Sequence, residues 1–270
     1  MELTIAINGY RSPEILRLCL QSVFREMDKT MLSYEVLVAD SATQEDTEML
    51  MREEFPQVRF FPFRENVGFK TLVNTSLEQA AGEYIFLINS DILLSPEAVP
   101  NLLHYLKAHP EIGLLGPKQF NFNGSLQPSC FHFYRPQTIL YRRIWGQLPF
   151  VKKHLRWFTL ADEDLSQPKA VDWIIGSAML VSKEKAKMVG PMDEQFFLYM
   201  EDVDWCRRFW EHGFKVVHYP QAFVYHYHGK GSARGGFFGS LLFNRLTWYH
   251  IESALRYFWK YRHKPLPKVG

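Results

Sequence analysis

The sequence predicts an α/β protein with a doubly wound, mostly parallel sheet and a C-terminal helical extension. Two observations indicate the sheet. Short apolar segments end in polar residues, as buried parallel strands do, and amphipathic helices alternate with them through short connections. A third observation indicates the extension, because apolar residues recur at helical spacing between Phe237 and Tyr261.

The first half of the chain shows strict alternation of strands and helices, which favours right-handed crossovers. Ser12 and Pro13 suit the N-cap and the first position of the first helix. Asn66 is the expected N-cap of the third helix, and Gly68 allows close backbone approach there. The predicted strands cover residues 3–7, 35–39, 58–61, 84–88 and 112–115. Four helices are predicted: the first begins at residue 13, the second covers 45–54, the third ends at residue 81, and the fourth covers 96–109.

The composition is that of an ordinary folded protein of 270 residues, with 47% hydrophobic and 22% charged residues. A formal net charge of +2 does not favour nucleic-acid binding. Cys19, Cys130 and Cys206 are far apart and form no C-x-x-C pair, which predicts a reducing compartment and no zinc site. Because no signal-peptide pattern and no apolar run of about 18 residues occurs, we expect a cytoplasmic protein, peripheral at the inner face of the plasma membrane.

Polar residues follow three of the predicted strands: Asn8, Asp40, and the run Asn89-Ser90-Asp91. The carboxyl ends of parallel strands meet at one crevice, so these side chains are expected to converge there. Asp91 suits a hard divalent cation that prefers oxygen ligands. The alternative is that Asp91 caps the helix near Pro96 and that Asp40 is a turn residue. No G-x-G-x-x-G follows the first strand and no P-loop occurs, which argues against dinucleotide and P-loop phosphate binding.

The second half is less regular. Residues 119–124 predict a hairpin or turn, and residues 129–168 are aromatic and basic without clear periodicity, which indicates a functional or mobile segment. Residues 176–181 predict another strand. Three carboxylates then occur within four positions, at Glu201, Asp202 and Asp204. They either form the acidic first turn of a helix or present a general base at the start of a helix.

Several short motifs occur in a fixed order along about residues 2–228. They are Asn8-Gly9-Tyr10, Asp40-Ser41, Asn66-Val67-Gly68-Phe69 with Asn74, Asn89-Ser90-Asp91, Gly176-Ser177-Ala178, Asp193-Glu194, the run from Phe196 to Asp202, and the run from Pro220 to His226. This ordered set resembles the family 2 glycosyltransferases of the GT-A fold, in particular their bacterial rhamnosyltransferase-like branch.

The resemblance implies a GT-A catalytic domain over 1–228, with a nucleotide-sugar-binding half at 1–118 and an acceptor and catalytic half at 119–228. It implies an inverting hexosyl transfer from a nucleotide-diphosphate sugar, such as dTDP-rhamnose, to a glycan or lipid-linked acceptor in cell-surface glycan synthesis. Asp202 matches the catalytic base, and Asp91 and His226 match ligands of Mg²⁺ or Mn²⁺, although a histidine on a strand edge is the alternative for His226.

The remaining site residues follow from the same match. The expected nucleotide-sugar contacts are Asn8, Tyr10, Asp40, Asn66, Gly68, Lys70, Asn74, Asn89 and Ser90, and the expected acceptor or supporting residues are Trp173, Gly176, Glu201 and Asp204. Lys70 stands where a small residue is more usual, and Asp40-Ser41-Ala42-Thr43 departs from the common Asp-Asn-x-Ser form. These departures concern nucleotide recognition.

The predicted extension covers 229–270 and consists of a glycine-rich segment and an amphipathic helix. Lys230 and Arg234 belong either to a lid that closes over the diphosphate or to a flexible linker. The helix either packs on the domain or lies on an anionic membrane, since from Gly229 onward eight basic residues stand against one acid. The oligomeric state, including a homodimer, is left open.

Two other functions are compatible with parts of the pattern. One is a catalytically silent nucleotide-sugar or glycan-binding module, and the other is a nucleotidyltransferase. The intact Asp91 and Asp202 argue against the first. The short segment Asn8 to Ser12 argues against the second, because a nucleotidyltransferase is expected to carry a longer glycine-rich loop after its first strand.

Overall fold

The computed structural model describes residues 1–142, 148–227 and 245–269. Its strands are β1 (Leu3–Tyr10), β2 (Tyr34–Ser41), β3 (Arg59–Phe63), β4 (Tyr84–Asn89), β5 (Ile92–Leu94), β6 (Ile112–Phe120), β7 (Leu126–Gln127), β8 (Cys130–Phe131), β9 (Lys169–Ala170), β10 (Trp173–Ile174), β11 (Ala178–Ser182) and β12 (Lys215–His226). Its helices are α1 (Pro13–Met27), α2 (Glu45–Glu53), α3 (Phe69–Gln79), α4 (Ala98–Ala108), α5 (Pro136–Tyr141), α6 (Pro149–Phe158), α7 (Lys183–Val189), α8 (Glu201–Glu211) and α9 (Arg245–Lys260).

One large sheet forms the centre of the molecule, with the strand order β3-β2-β1-β4-β11-β6-β12-β5 and with β7 and β9 paired to β6 and β12. Within the described residues, β1, β2, β3, β4, β6 and β12 run in one direction and β5, β7, β9 and β11 run against them. The predicted mostly parallel sheet is therefore confirmed, although the antiparallel direction of β11 was not predicted.

The direction of β11 follows from where the chain enters it. Ser177, just before β11, accepts a hydrogen bond from the Asn89 backbone at the carboxyl end of β4 (3.0 Å). A strand that begins beside the carboxyl end of β4 must run antiparallel to β4. Such a strand needs no crossover helix before it.

Each face of the sheet is covered by helices, because successive strand residues point to opposite sides. Ile5 and Ile7 contribute to a core beneath α1, α2 and α4, whereas Ala6 contributes to a second core beneath α3, α7 and α8. This arrangement confirms the predicted double winding. The predicted boundary at residue 118 falls inside β6, so the two halves share one sheet.

The predicted hairpin at 119–124 is confirmed by the antiparallel pairing of β6 with β7. No helix or strand was predicted within residues 129–168, and their described part contains the short helices α5 and α6. Their aromatic side chains pack on each other, and Phe131 stacks on Trp173 with ring centroids 4.5 Å apart. This stacking supplies stability that the hydrophobic spacing did not indicate.

Helix α9 packs on the domain. His250, Ala254 and Tyr257 are buried, and Ser253 donates a hydrogen bond to the Leu198 carbonyl (2.9 Å). Of the two interpretations of this helix, packing on the domain is the one that the described contacts confirm. Among the described residues, no helix has the length and the apolar character that crossing a membrane requires.

Candidate active site

The carboxyl ends of β1, β2 and β4 lie side by side, as predicted. Asn8 is paired in register with Asn89, and Gly9 is paired with Asp40. Four buried side-chain atoms in this row have no hydrogen-bond partner in the described part of the chain: Asn8 Nδ2, Asn8 Oδ1, Asn89 Oδ1 and Asp40 Oδ2. Buried polar groups normally find partners, so this row has unused capacity for a ligand.

Asp40 lies near the carboxyl end of β2, and its side chain is almost fully buried. A Cβ atom added at Gly9 would come within 2.4 Å of Asp40 Oδ1, so glycine makes room for the carboxyl group. Burial raises the pKa of Asp40, while a hydrogen bond from Thr43 opposes the shift. Tyr10 follows Gly9 and is 48% exposed at the end of β1, where its ring is accessible for stacking.

The loop before α3 closes one side of the row. Asn66 Oδ1 accepts the Gly68 N–H (3.1 Å), and Ser41 Oγ accepts the Val67 N–H (3.0 Å). Gly68 itself stands at the N-cap with a φ of 75°, so the prediction that Asn66 is the N-cap is wrong by two positions. A Cβ atom at Gly68 would lie 2.2 Å from the Phe197 carbonyl oxygen, which explains why glycine is required there.

Two of the expected nucleotide-sugar contacts have partners within the protein. The Asn74 carboxamide donates to the Met192 carbonyl (2.9 Å) and accepts from the Met192 N–H (2.8 Å), which links α3 to the segment before α8. Lys70 forms an ion pair with Glu194. The Asn74 hydrogen bonds therefore stabilise the fold, whereas the Lys70 pair lies at the surface, and the contact of either residue with a donor stays a prediction.

Asp91 lies at the strand edge next to Asn89 and Ser90. The alternative in which Asp91 caps a helix is wrong, because β5 begins immediately after it and α4 starts only at Ala98. Ser90 is buried, and its backbone N–H donates to the Asn8 carbonyl (2.9 Å), which ties this turn to β1. The Asp91 side chain is 30% exposed, so it lies open to the crevice.

His226 approaches Asp91 from the end of β12. Asp91 Oδ1 lies 3.3 Å from His226 Nε2, but it accepts no hydrogen bond from the described residues. A carboxylate oxygen with free lone pairs beside an imidazole nitrogen suits Mg²⁺ or Mn²⁺. No cluster of three or more His, Cys, Asp or Glu side chains suited to a metal occurs in the described ranges. The protein therefore offers few ligands, and a cation here would take others from water or from donor phosphates.

The carboxylates of the second half are presented by the start of α8. Tyr199 and Met200 have φ values of 69° and 68°, a left-handed conformation that is unfavourable for residues other than glycine. This turn places Glu201 and Asp202 in the first positions of α8. Strained backbone often accompanies functional groups whose direction must be fixed.

Asp202 is held by two backbone donors, since its Oδ2 accepts the Gly176 N–H (3.0 Å) and its Oδ1 accepts the Val203 N–H (2.9 Å). Burial raises the pKa of Asp202 to about 6, while these N–H groups and the positive charge of Arg142 hold it lower. A carboxyl group with a pKa near neutrality is suited to general base catalysis.

Glu201, Asp204 and Trp173 have supporting positions. Glu201 is buried, and burial together with the charge of Asp202 raises its pKa well above the ordinary value. Asp204 is fully buried and accepts hydrogen bonds from Arg208 (2.9 Å) and Tyr261 (2.8 Å). Trp173 is buried among aromatic rings, and its indole N–H donates to the His132 carbonyl (2.9 Å).

A single short segment connects the two sets of carboxylates. The Gly176 N–H binds Asp202, and the Ser177 carbonyl accepts the Asn89 N–H two residues before Asp91. The structure thus brings together the residues predicted at 8, 40, 89–91, 176, 202 and 226. Lys230 and Arg234 lie outside the described residues.

Three residues that contribute to the site were not predicted from the sequence. Gln127 contacts His226 across 99 positions of sequence, and Lys260 contacts Asp204 across 56. Arg142, which follows the last residue of α5, contributes its charge near Asp202. None of these residues belongs to a recognisable motif, so only the folded arrangement identifies them.

The strand order and the helices on both faces of the sheet define a GT-A-like fold. Solved structures support the fold. GalNAc-T7, crystallised with UDP, GalNAc and Mn²⁺, matches 84% of the chain with a TM-score of 0.63 at 14% identity. TarS of Staphylococcus aureus matches 84% with a TM-score of 0.57 at 15% identity. The chain covers only 43% and 37% of these two structures.

The family is shown by sequence comparison. The model of Glycosyl transferase family 2 matches residues 4–161, and the chain belongs to this family. The N-acetylglucosaminyl-diphospho-decaprenol L-rhamnosyltransferase of Mycobacterium tuberculosis is 31% identical over 74% of the chain and 68% of the relative. Rhamnosyltransferase WbbL of Escherichia coli is 25% identical over 68% of the chain and 65% of the relative.

Proposed function

We propose that the chain is a metal-dependent, inverting rhamnosyltransferase that moves rhamnose from dTDP-rhamnose to a lipid-linked acceptor in cell-surface glycan synthesis. The mycobacterial and WbbL relatives, both rhamnosyltransferases, support the sugar. The name of the first relative, which contains a diphospho-decaprenol, supports a lipid-linked acceptor. The observation that carries the proposal is the link from Asp202 through Gly176 and Ser177 to Asn89 and Asp91.

The donor is proposed to bind along the polar strand ends. Asp40 and Asn8 offer unused polar atoms for the base and ribose, and Tyr10 offers an exposed ring. Asp91 and His226 would hold Mg²⁺ or Mn²⁺ beside the diphosphate. The cation supplies charge neutralisation for the departing diphosphate.

Asp202 is the proposed general base. Its carboxylate takes the proton from the acceptor hydroxyl as the hydroxyl oxygen attacks the anomeric carbon on the side opposite the diphosphate. This single displacement inverts the anomeric configuration. With a pKa of about 6, Asp202 is mainly ionised at neutral pH and is still basic enough to accept a proton.

The acceptor is proposed to reach the site at an anionic membrane surface on the cytoplasmic side. Trp248, Leu255 and Trp259 are exposed on the outer side of α9, although its inner side packs on the domain. A domain-packed helix with an exposed aromatic and basic side can therefore still contact lipid. A homodimer stays a prediction without further support.

The proposal is tested by donor binding. Isothermal titration with dTDP-rhamnose, UDP-N-acetylglucosamine and GDP-mannose, each with and without Mn²⁺, should show metal-dependent binding of dTDP-rhamnose. Asp91→Asn should weaken this binding about tenfold or more, because the cation loses a charged ligand. Asp28→Asn is the matched control, since Asp28 is exposed at the C-terminal end of α1, away from the strand ends.

Two results would contradict the proposal. Unchanged, metal-dependent binding by Asp91→Asn would remove Asp91 from the metal site. Tight donor binding by the wild-type protein without any transfer to a lipid-linked acceptor would favour the silent binding module.

A further inference from the structure

Gln127 on β7 contacts the proposed metal ligand His226 on β12 across the end of β6, which pairs with both strands. Its Nε2 atom lies 3.0 Å from His226 Nδ1, and both side chains are buried. The other ring nitrogen, His226 Nε2, lies 3.3 Å from Asp91 Oδ1. Gln127, His226 and Asp91 therefore form a continuous row of polar groups that ends in the crevice.

The partner at Nδ1 decides what Nε2 can do, because a neutral imidazole carries one proton on one of its two nitrogens. When the Gln127 amide donates to Nδ1, the proton sits on Nε2 and faces Asp91. When the Gln127 oxygen accepts from Nδ1–H, Nε2 presents a lone pair instead. A half-turn of the carboxamide exchanges its nitrogen and oxygen, so one glutamine can serve either state.

The unused oxygen of Gln127 supports this second state. Gln127 Oε1 is buried and has no hydrogen-bond partner among the described residues. The neighbouring Gln119 differs, because both ends of its carboxamide are hydrogen-bonded to Ser177 Oγ (2.9 and 3.0 Å). Among the described residues, the buried Gln127 carboxamide therefore contacts His226 through its nitrogen, and its oxygen has no partner.

We propose that Gln127 is a positioning residue that fixes the ring orientation and the protonated nitrogen of His226. In the metal-free protein it holds the proton on Nε2 toward Asp91, and with a cation it accepts from Nδ1–H so that Nε2 presents its lone pair to the cation. Outer partners of metal-bound histidines have this role in general. The inference rests on the proposed metal site at Asp91.

The first test is Mn²⁺ binding, followed by the electron paramagnetic resonance signal of free Mn²⁺. Gln127→Leu should weaken Mn²⁺ binding about tenfold or more, the usual loss when such a partner is removed. Gln127→Glu should stay close to wild type, because a carboxylate can accept from Nδ1–H. Gln221→Leu, which removes an exposed carboxamide from the same strand as His226, is the control and should leave Mn²⁺ binding unchanged.

The second test separates positioning from general damage to the fold. In a His226→Ala background, Gln127→Leu should have no further effect on Mn²⁺ binding, because the partner that its side chain has among the described residues is gone. Nitrogen-15 spectra of the histidine rings in the metal-free protein should show the proton of His226 on Nε2 in wild type and a mixture in Gln127→Leu.

The result that would contradict the role of Gln127 differs from the result that would contradict the proposed metal site. If Asp91→Asn weakens Mn²⁺ binding while Gln127→Leu does not, the positioning role is wrong and the metal site stands. An equal effect of Gln127→Leu with and without His226 also overturns the role. If wild type and Asp91→Asn bind Mn²⁺ equally, or neither binds it, both the inference and the proposed metal site fail.

Discussion

Asp202 is subject to opposing effects that together set its protonation. Burial raises its pKa, whereas the Gly176 and Val203 N–H groups and the positive charge of Arg142 stabilise the carboxylate. The neighbouring Glu201 has fewer such stabilising contacts, and its Oε2 has no hydrogen-bond partner in the described ranges. The two carboxyl groups therefore differ in their environments although they are adjacent in sequence, and Asp202 is the better base.

Turnover should depend on the protonation of Asp202. A protonated carboxyl group cannot accept the acceptor proton, so activity should rise with pH through about 6 and become constant above about 7. Asp202→Asn should lower turnover about 10²–10⁴-fold while donor binding changes little. The measurement is the pH dependence of initial transfer rates at saturating donor.

Glu201→Gln is the comparison for this experiment, because it changes the adjacent carboxyl group in the same way. We expect it to lose less activity than Asp202→Asn. Near wild-type turnover by Asp202→Asn, or a rate that is constant between about pH 5 and 7, would assign the base to another residue.

At the scale of elements, α8 and α9 are joined through one buried carboxylate. Asp204 on α8 accepts hydrogen bonds from Arg208, Tyr261 and Lys260, and Lys260 also binds Asp193 (2.6 Å). Because Asp204 has no exposed surface, these hydrogen bonds and ion pairs replace the contacts that it would make with water. The helix that presents Asp202 is thereby fastened to the C-terminal helix.

Asp204→Asn should destabilise the protein and release α9. Removing one member of a buried charged network leaves its partners uncompensated, which costs about 3–5 kcal/mol in general. We expect a loss near the lower end of this range, because Lys260 is partly exposed and can regain water. Urea denaturation measures the loss of stability, and limited proteolysis should show faster cleavage within α9.

Glu252→Gln provides the matched control on the same helix. Glu252 is 56% exposed and pairs with Arg256, and such surface pairs contribute about 0–1 kcal/mol. Equal stability of Asp204→Asn and Glu252→Gln would mean that the buried network does not fasten α9.

The elements that could be predicted were those with local signals. Strands β1, β2 and β4, which carry Asn8, Asp40 and Asn89 near their carboxyl ends, were predicted because apolar runs followed by polar residues are local patterns. The direction of β11, the helices α5 and α6, and the contact between Gln127 and His226 depend on partners distant in sequence. Such contacts are fixed by tertiary packing, which hydrophobic periodicity and motif spacing do not contain.

For the whole molecule, the described surface of α9 combines apolar and basic side chains. Trp248, Leu255 and Trp259 are 56%, 66% and 68% exposed and recur at helical spacing. Exposed basic residues lie on or after the same helix: Arg245, Arg256, Arg262, Lys264 and Lys268. Lys260 is not available to lipid, because it is bound to Asp193 and Asp204.

This surface should attach the protein reversibly to anionic membranes. Each basic residue near an anionic leaflet contributes about 1 kcal/mol, within a Debye length of about 8 Å at physiological salt. Co-sedimentation should therefore show binding to phosphatidylglycerol vesicles that salt weakens, and little binding to phosphatidylcholine vesicles. Replacing Trp248 and Trp259 by serine should reduce the bound fraction severalfold, because the apolar contact of the two rings with the lipid is lost.

The matched control replaces Leu18 and Met49 by serine. These residues are exposed on helices of the opposite face, and the variant should bind as wild type does. Absence of binding at low salt, or equal binding by the two double variants, would show that this face of α9 does not contact lipid.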